Sequence, residues 1–205
     1  MDSNIDTTEA VKTKESLTIK DVIIAPDARL RTVAERVKEV TVVEQDLIDE
    51  MIKTMKASDG LGLAATQLGI NKRVIVVDVE PLEAYDDNDP STIKHGKFEM
   101  VNPTIISRQG RARWVEGCLS VPGYKDIIER DLIIDVHYSD RYGNAKELKA
   151  SGLLSACIQH EIDHLDGKLF VDRLSRLKKN MVMAKLKKFR RRGVMVVKPS
   201  AGSVF

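Results

Sequence analysis

The chain has 205 residues, enough for one well-cored domain and too few for two large ones. Hydrophobic residues at 42% supply a core and charged residues at 31% a polar surface, while a formal net charge of +2 is too small to name a partner. No run approaches the roughly 18 apolar residues of a membrane span. The stretch from Met1 to Lys20 lacks the apolar segment of a secretory signal and carries Asp2, Asp6, Glu9 and Glu15, which argues against an organellar transit peptide. The expected location is a reducing cytoplasm, where the two cysteines, Cys118 and Cys157, point to metal or catalytic chemistry more than to a disulfide.

In chain order, residues 1–18 are polar and read as a flexible tail. Ile19 to Ile24 suits a short strand, closed by a turn at Pro26-Asp27. Val43, Leu47, Ile48, Met51, Ile52 and Met55 follow helical spacing and predict a helix near 42–57, stopped by Asp59-Gly60. A glycine-rich loop at 60–69 leads into a β-branched strand, Arg73 to Val79. Glu80 to Lys97 is polar and broken by Pro81, Pro90 and Gly96, as expected of a surface loop. Strands follow around Gly110 and over Leu132–Tyr138, and the turn Arg141-Tyr142-Gly143-Asn144 predicts a hairpin with a strand into Leu148. Leu153–Leu165 is an apolar helix, and a basic helix follows at about 174–191. The expected fold is α+β: antiparallel or mixed β-sheets packed around a central helix, with a C-terminal helix. Residues 19–193 form the single expected domain, and 194–205 a C-terminal tail.

The apolar helix carries His160-Glu161-Ile162-Asp163-His164, the pattern HExxH. Four helical residues turn by about 400° and rise by roughly 6 Å, so both imidazoles share one face and reach one metal ion. The glutamate between them is placed to act as a base. Two histidines leave a catalytic site one ligand short. A third histidine at the next metzincin position is absent, since Phe170 stands there. The acids Asp166 and Asp172 lie too close in the chain for a thermolysin-like site. His95 and His137 stay open but sit in no motif. Cys157 shares the helix face yet lies about 10 Å in rise from His164, which suits a buried thiol. Cys118, in Glu116-Gly117-Cys118-Leu119-Ser120, reaches the helix from outside and is the preferred third ligand. A metal held by Cys118, His160 and His164 would leave a position for water, with Glu161 taking its proton.

Three segments together resemble the peptide deformylases. Gly60-Leu61-Gly62-Leu63-Ala64-Ala65-Thr66-Gln67 resembles that family's GxGLAAxQ, Glu116 to Ser120 its EGCLS, and Gln159 to His164 with Asp166-Gly167 its QHExDHLxG, in the family's order and over about residues 20–175. The resemblance implies hydrolysis of N-formyl-methionyl peptides, with one divalent metal on Cys118, His160 and His164. It implies ferrous iron as the native ion, with zinc, nickel or cobalt as substitutes. Glu161 would shuttle the proton, and the Gln67 amide and the Leu119 backbone N–H would stabilise the oxyanion. Gly60, Leu61, Gly62, Glu116, Leu153, Ala156 and Cys157, with His160, would form the methionine pocket. One departure stands out: many relatives carry an arginine shortly after EGCLS where this chain reads Val121-Pro122-Gly123-Tyr124-Lys125.

Between Arg173 and Arg192 there are ten Lys/Arg residues and no acid. Leu174, Leu177, Met181, Ala184 and Lys188 fall on one stripe of this segment. A solvated amphipathic helix is one reading; anionic docking is the other, and resemblance points to the ribosome near its tunnel exit. The expected protein is a monomer acting on nascent peptides with no membrane partner. Two other classes compete: an HExxH metalloprotease on unformylated peptides, and a structural zinc protein that closes its site with both cysteines.

Overall fold

In the computed structural model, which describes residues 18–80, 93–191 and 196–197, the first helix, α1 (Val42–Ala57), begins on two β-branched residues and depends on its cap. The Thr41 hydroxyl accepts the Val43 N–H at 3.2 Å, and Glu44 reaches back to the Thr41 N–H at 2.9 Å, a reciprocal arrangement worth about 1 kcal/mol. Leu47, Ile48, Met51 and Met55 are buried along one face, and the helix ends where Asp59 turns left-handed.

Nine strands lie among the described residues: β1 (Val22–Ile23), β2 (Gly62–Ala64), β3 (Val74–Val79), β4 (Gly96–Gln109), β5 (Ala112–Glu116), β6 (Asp126–Arg130), β7 (Ile133–Ser139), β8 (Ala145–Ser151) and β9 (Val196–Val197). The main sheet is antiparallel with order β2-β3-β4-β7-β8. The strands on either side of Gly110 part company: β4 joins the main sheet, while β5 pairs with β6 in a separate two-stranded ribbon. Gly110 itself has φ +65°, a conformation that costs glycine little.

The second helix, α2 (Gly152–Leu165), carries the HExxH sequence and is apolar enough to be buried almost all round. Leu154, Ile158, Ile162 and Leu165 pack on Ile75, Val77, Ile134, Val136 and Leu148 of the sheet. The i, i+3, i+4, i+7 stripe of Cys157, His160, Glu161 and His164 is thereby offered to the loop after β5. The fold is α+β.

The last helix, α3 (Arg176–Arg191), differs from its sequence reading. Leu174 precedes the helix, so a stripe counted from it marks the wrong face. Val182 and Leu186 are buried against Ile23, Leu30, Val121 and Phe170, whereas Leu177 and Met181 are 73% and 65% exposed. The strand β9, which pairs with β1, falls in the stretch read as a C-terminal tail. Residues 1–17 of the expected N-terminal tail and 81–92 of the polar loop lie outside the described residues.

Asp172 ties three segments together. It accepts the Leu169 N–H at 2.8 Å, pairs with Lys179 of α3 at 2.8 Å and pairs with Arg31. Burial raises its carboxyl pKa, but Arg31, the Leu169 N–H and Lys179 outweigh burial and bring it to about 2, from 3.8. A depressed carboxyl stabilises the fold above the unfolded value and loses that contribution as pH falls through the folded one. Asp172→Asn should therefore cost about 1–2 kcal/mol at pH 7 and almost nothing near pH 2. Urea unfolding of both proteins at the two pH values checks this; a gap that persists in acid would contradict it.

Candidate active site

The loop between β5 and β6 brings Cys118 to the polar stripe of α2. The Cys118 Sγ lies 3.2 Å from His164 Nε2, and one donor atom from each of Cys118, His160 and His164 lies within 4.8 Å of the other two. All three residues are buried, and the imidazoles meet edge to face with centroids 5.0 Å apart. One thiol and two imidazoles suit a divalent transition ion, and three protein donors are the number a catalytic site uses. Cys157 is not in the group, so the closed four-ligand zinc site considered from sequence is not assembled.

Glu161 supports the same assignment. Its Oε2 is buried without a hydrogen-bond partner, an expensive condition for a carboxylate that a water beside a bound ion would relieve. Burial, reinforced by Glu116 and opposed by His160, pushes its carboxyl up to about 7. Burial also drives the His164 imidazole well below its ordinary value, favouring the neutral form that binds metals. At His160 burial acts the same way but is outweighed by Cys118 and Glu116; His160 Nδ1 lies 2.9 Å from Glu116 Oε2.

Gln67 lies in the 3₁₀ turn Ala65–Leu68 that follows β2. Its Oε1 accepts the Ala64 N–H at 2.8 Å. That bond turns the amide nitrogen toward Ser120 Oγ at 3.3 Å and Cys118 Sγ at 3.6 Å, so a donor faces the thiol side of the site. Leu119 follows Cys118 directly and is buried.

A cavity of about 300 Å³ opens beside these groups. Of the residues expected to form the methionine pocket, Leu61, Glu116, Leu153, Ala156 and Cys157 line it, together with His160 and Glu161. Gly60 and Gly62 are not among its walls. Gly62 stands against Glu161 and Cys157 instead, and Gly60 against Met55 and Leu119. Trp114, Val115, Gly117 and Lys125 complete the lining. The walls at Leu61, Trp114, Val115, Leu153 and Ala156 are apolar. The Cys157 thiol is held well above its ordinary value, first by burial and then by Glu161 and Glu116, and a protonated thiol is a poor nucleophile.

Sequence reasoning passed over Arg130, Asp163 and Arg173, which surround Glu116 and the base of α2. A signal was available for the first: in β6 Arg130 falls two residues after the buried Ile128, on the same side of the strand.

A family model described as polypeptide deformylase matches residues 19–180. The chain belongs to the polypeptide deformylase family. A peptide deformylase of Xylella fastidiosa (strain M12) is 49% identical over 170 residues, covering 82% of this chain and 94% of that protein. The crystal structure of the Ehrlichia chaffeensis peptide deformylase superposes with a TM-score of 0.81 at 40% identity, covering 87% of this chain and all of that one. A class I type b peptide deformylase from Acinetobacter baumannii, solved with Met-Ala-Ser bound, is 33% identical with a TM-score of 0.69 and covers 77% of this chain and 99% of that one. Deformylases are metal-dependent, and Cys118, His160 and His164 are the one cluster of such donors among the described residues. No helix among those residues is long and apolar enough to cross a membrane.

Proposed function

We propose that this chain removes the N-formyl group from formyl-methionyl peptides, releasing formate and a free amino terminus. The observation that carries the reading is the meeting of Cys118, His160 and His164 beside the unpartnered Glu161 carboxylate, at the wall of an apolar cavity. Cys118, His160 and His164 would hold a divalent metal, which when bound lowers the pKa of a water and polarises a carbonyl. Glu161 takes a proton from the attacking water and delivers it to the departing amine nitrogen as the C–N bond breaks. The Gln67 amide, already oriented by Ala64, and the Leu119 backbone N–H face the negative charge that develops on the formyl oxygen. The cavity lined by Leu61, Leu153, Ala156 and Cys157 takes the methionine side chain, in keeping with the Met-Ala-Ser complex of the Acinetobacter relative.

The same reading takes ferrous iron as the native ion, with zinc, nickel or cobalt as substitutes, and places a monomer in the cytoplasm with 19–193 as its catalytic domain. Formate release from formyl-Met-Ala, by protein prepared anaerobically in ferrous iron, is the test. Rapid turnover is expected, with acetyl-Met-Ala and unformylated peptides untouched. No formate from iron-, nickel- or cobalt-loaded protein would overturn the reading, and cleavage of unformylated peptides would favour a metalloprotease.

The outward face of α3 is proposed to dock on the ribosome. It presents Arg176, Lys187, Lys188 and Arg191 around the exposed Leu177 and Met181, a cationic surface suited to RNA phosphates. Co-sedimentation with ribosomes should fall at high salt and be lost on deleting 176–205; unchanged sedimentation would remove the proposal.

A further inference from the structure

Behind the metal-ligand cluster lies a charge network that the proposed chemistry does not use. The side chain of Arg130, at the end of β6, has no exposed surface. Its Nε and one terminal nitrogen donate to the two oxygens of Glu116 at 2.6 and 2.8 Å, and its other terminal nitrogen donates to Asp163 Oδ2 at 2.5 Å. Arg173 donates to the same Asp163 at 2.8 to 3.0 Å. Two guanidinium groups and two carboxylates therefore cancel in a space where one unmatched charge would be strongly disfavoured. The network joins the loop segment that bears Cys118 to the helix that bears both histidines.

The geometry at Glu116 gives the network a direction. A guanidinium bonded to both carboxylate oxygens fixes the plane of that carboxylate, which a lysine cannot do. With its plane fixed, Glu116 Oε2 accepts from His160 Nδ1 at 2.9 Å, which sets both the ring's orientation and its tautomer and leaves Nε2 for the metal side. His164 has no equivalent: its Nδ1 is buried without a partner. Of the two imidazoles, one is clamped from behind and the other is held by its neighbours alone.

We propose that Arg130 is a positioning residue that, through Glu116, locks His160 in its ligating orientation and so sets how tightly the metal is retained. The inference rests on Cys118, His160 and His164 holding the ion. Arg130→Lys keeps the charge and loses the two-pronged contact. Glu116→Gln keeps the shape and loses the carboxylate; it tests the same link through a milder change should Arg130→Lys fail to fold.

The experiment loads the full chain and its variants with cobalt, records the visible spectrum and follows metal loss to a chelator. Each single variant is expected to release cobalt about 10- to 100-fold faster than the parent, with shifted absorption bands. The double variant should be little worse than either single one, because both break one chain of contacts. A purely structural Arg130 would lower the melting temperature with and without metal and leave the bands and release rate of Arg130→Lys at the parent's values; that outcome, or an unmoved Glu116→Gln, overturns the proposal. A parent that binds no cobalt would instead overturn the assignment of the three ligands.

Discussion

Glu161→Gln should abolish formate release by a factor of at least about 10³ while leaving the metal in place. The separation follows from where the two functions sit. The proposed ligands are Cys118, His160 and His164, whose donor atoms cluster without Glu161, so an amide at 161 removes no donor. The change is nearly isosteric on a helix whose fit to the sheet depends on Leu154, Ile158, Ile162 and Leu165, so the fold should persist. What is lost is the only base among the described residues placed beside the cluster with an oxygen free of protein partners. The amide cannot accept a proton from water or return it to the departing nitrogen. Bound metal, melting temperature and turnover measured on one preparation decide the matter. Full metal occupancy with turnover near the parent's would show that another group moves the proton; loss of the metal together with turnover would make Glu161 part of the ion's support.

Much of this was legible in the residues. HExxH on an apolar helix fixes which side of α2 must face chemistry, because four residues nearly complete a turn, and the apolar spacing from Val43 to Met55 marks out α1. The ends of α1 and α2 and the hairpin after residue 140 follow from patterns contained within about fifteen residues. The harder parts depend on pairings distant in the chain. Nothing local says that β5 leaves β4 to pair with β6, although that choice places Trp114 and Glu116 at the cavity. Arg130 looks like a solvated strand residue until Glu116 and Asp163 converge on it from elsewhere, with Arg173 pairing to the same Asp163. The buried face of α3 was hidden for the same reason: a stripe of apolar residues shows amphipathicity, but only the neighbouring core decides which stripe is buried.

Gly62→Ala should cost about 100-fold or more in kcat/KM with little loss of stability. A methyl group at 62 would lie 2.5 Å from Glu161 Oε1, 2.9 Å from Glu161 Cδ and 2.9 Å from Cys157 Sγ, all inside van der Waals contact. Something must give, and the strand is poorly placed to do so. Gly62 is paired with Val77, and the adjacent Leu63 and Ala64 are fully buried and paired with Val76 and Ile75. The Glu161 carboxylate borders the cavity and can swing into it, away from the cluster. A displacement near 1 Å in a catalytic group is enough to cost about 10² in rate. The backbone is not the obstacle, since Gly62 is not among the positive-φ residues and alanine there carries no left-handed strain. The requirement for glycine is thus a requirement for room beside the base. Kinetics with formyl-Met-Ala, metal content and melting temperature of Gly62→Ala should show slow turnover in a folded, metal-loaded protein. Adding Cys157→Ala relieves only the sulfur contact, so activity should stay low. Its return would place the conflict on the cysteine and free Glu161 from the argument.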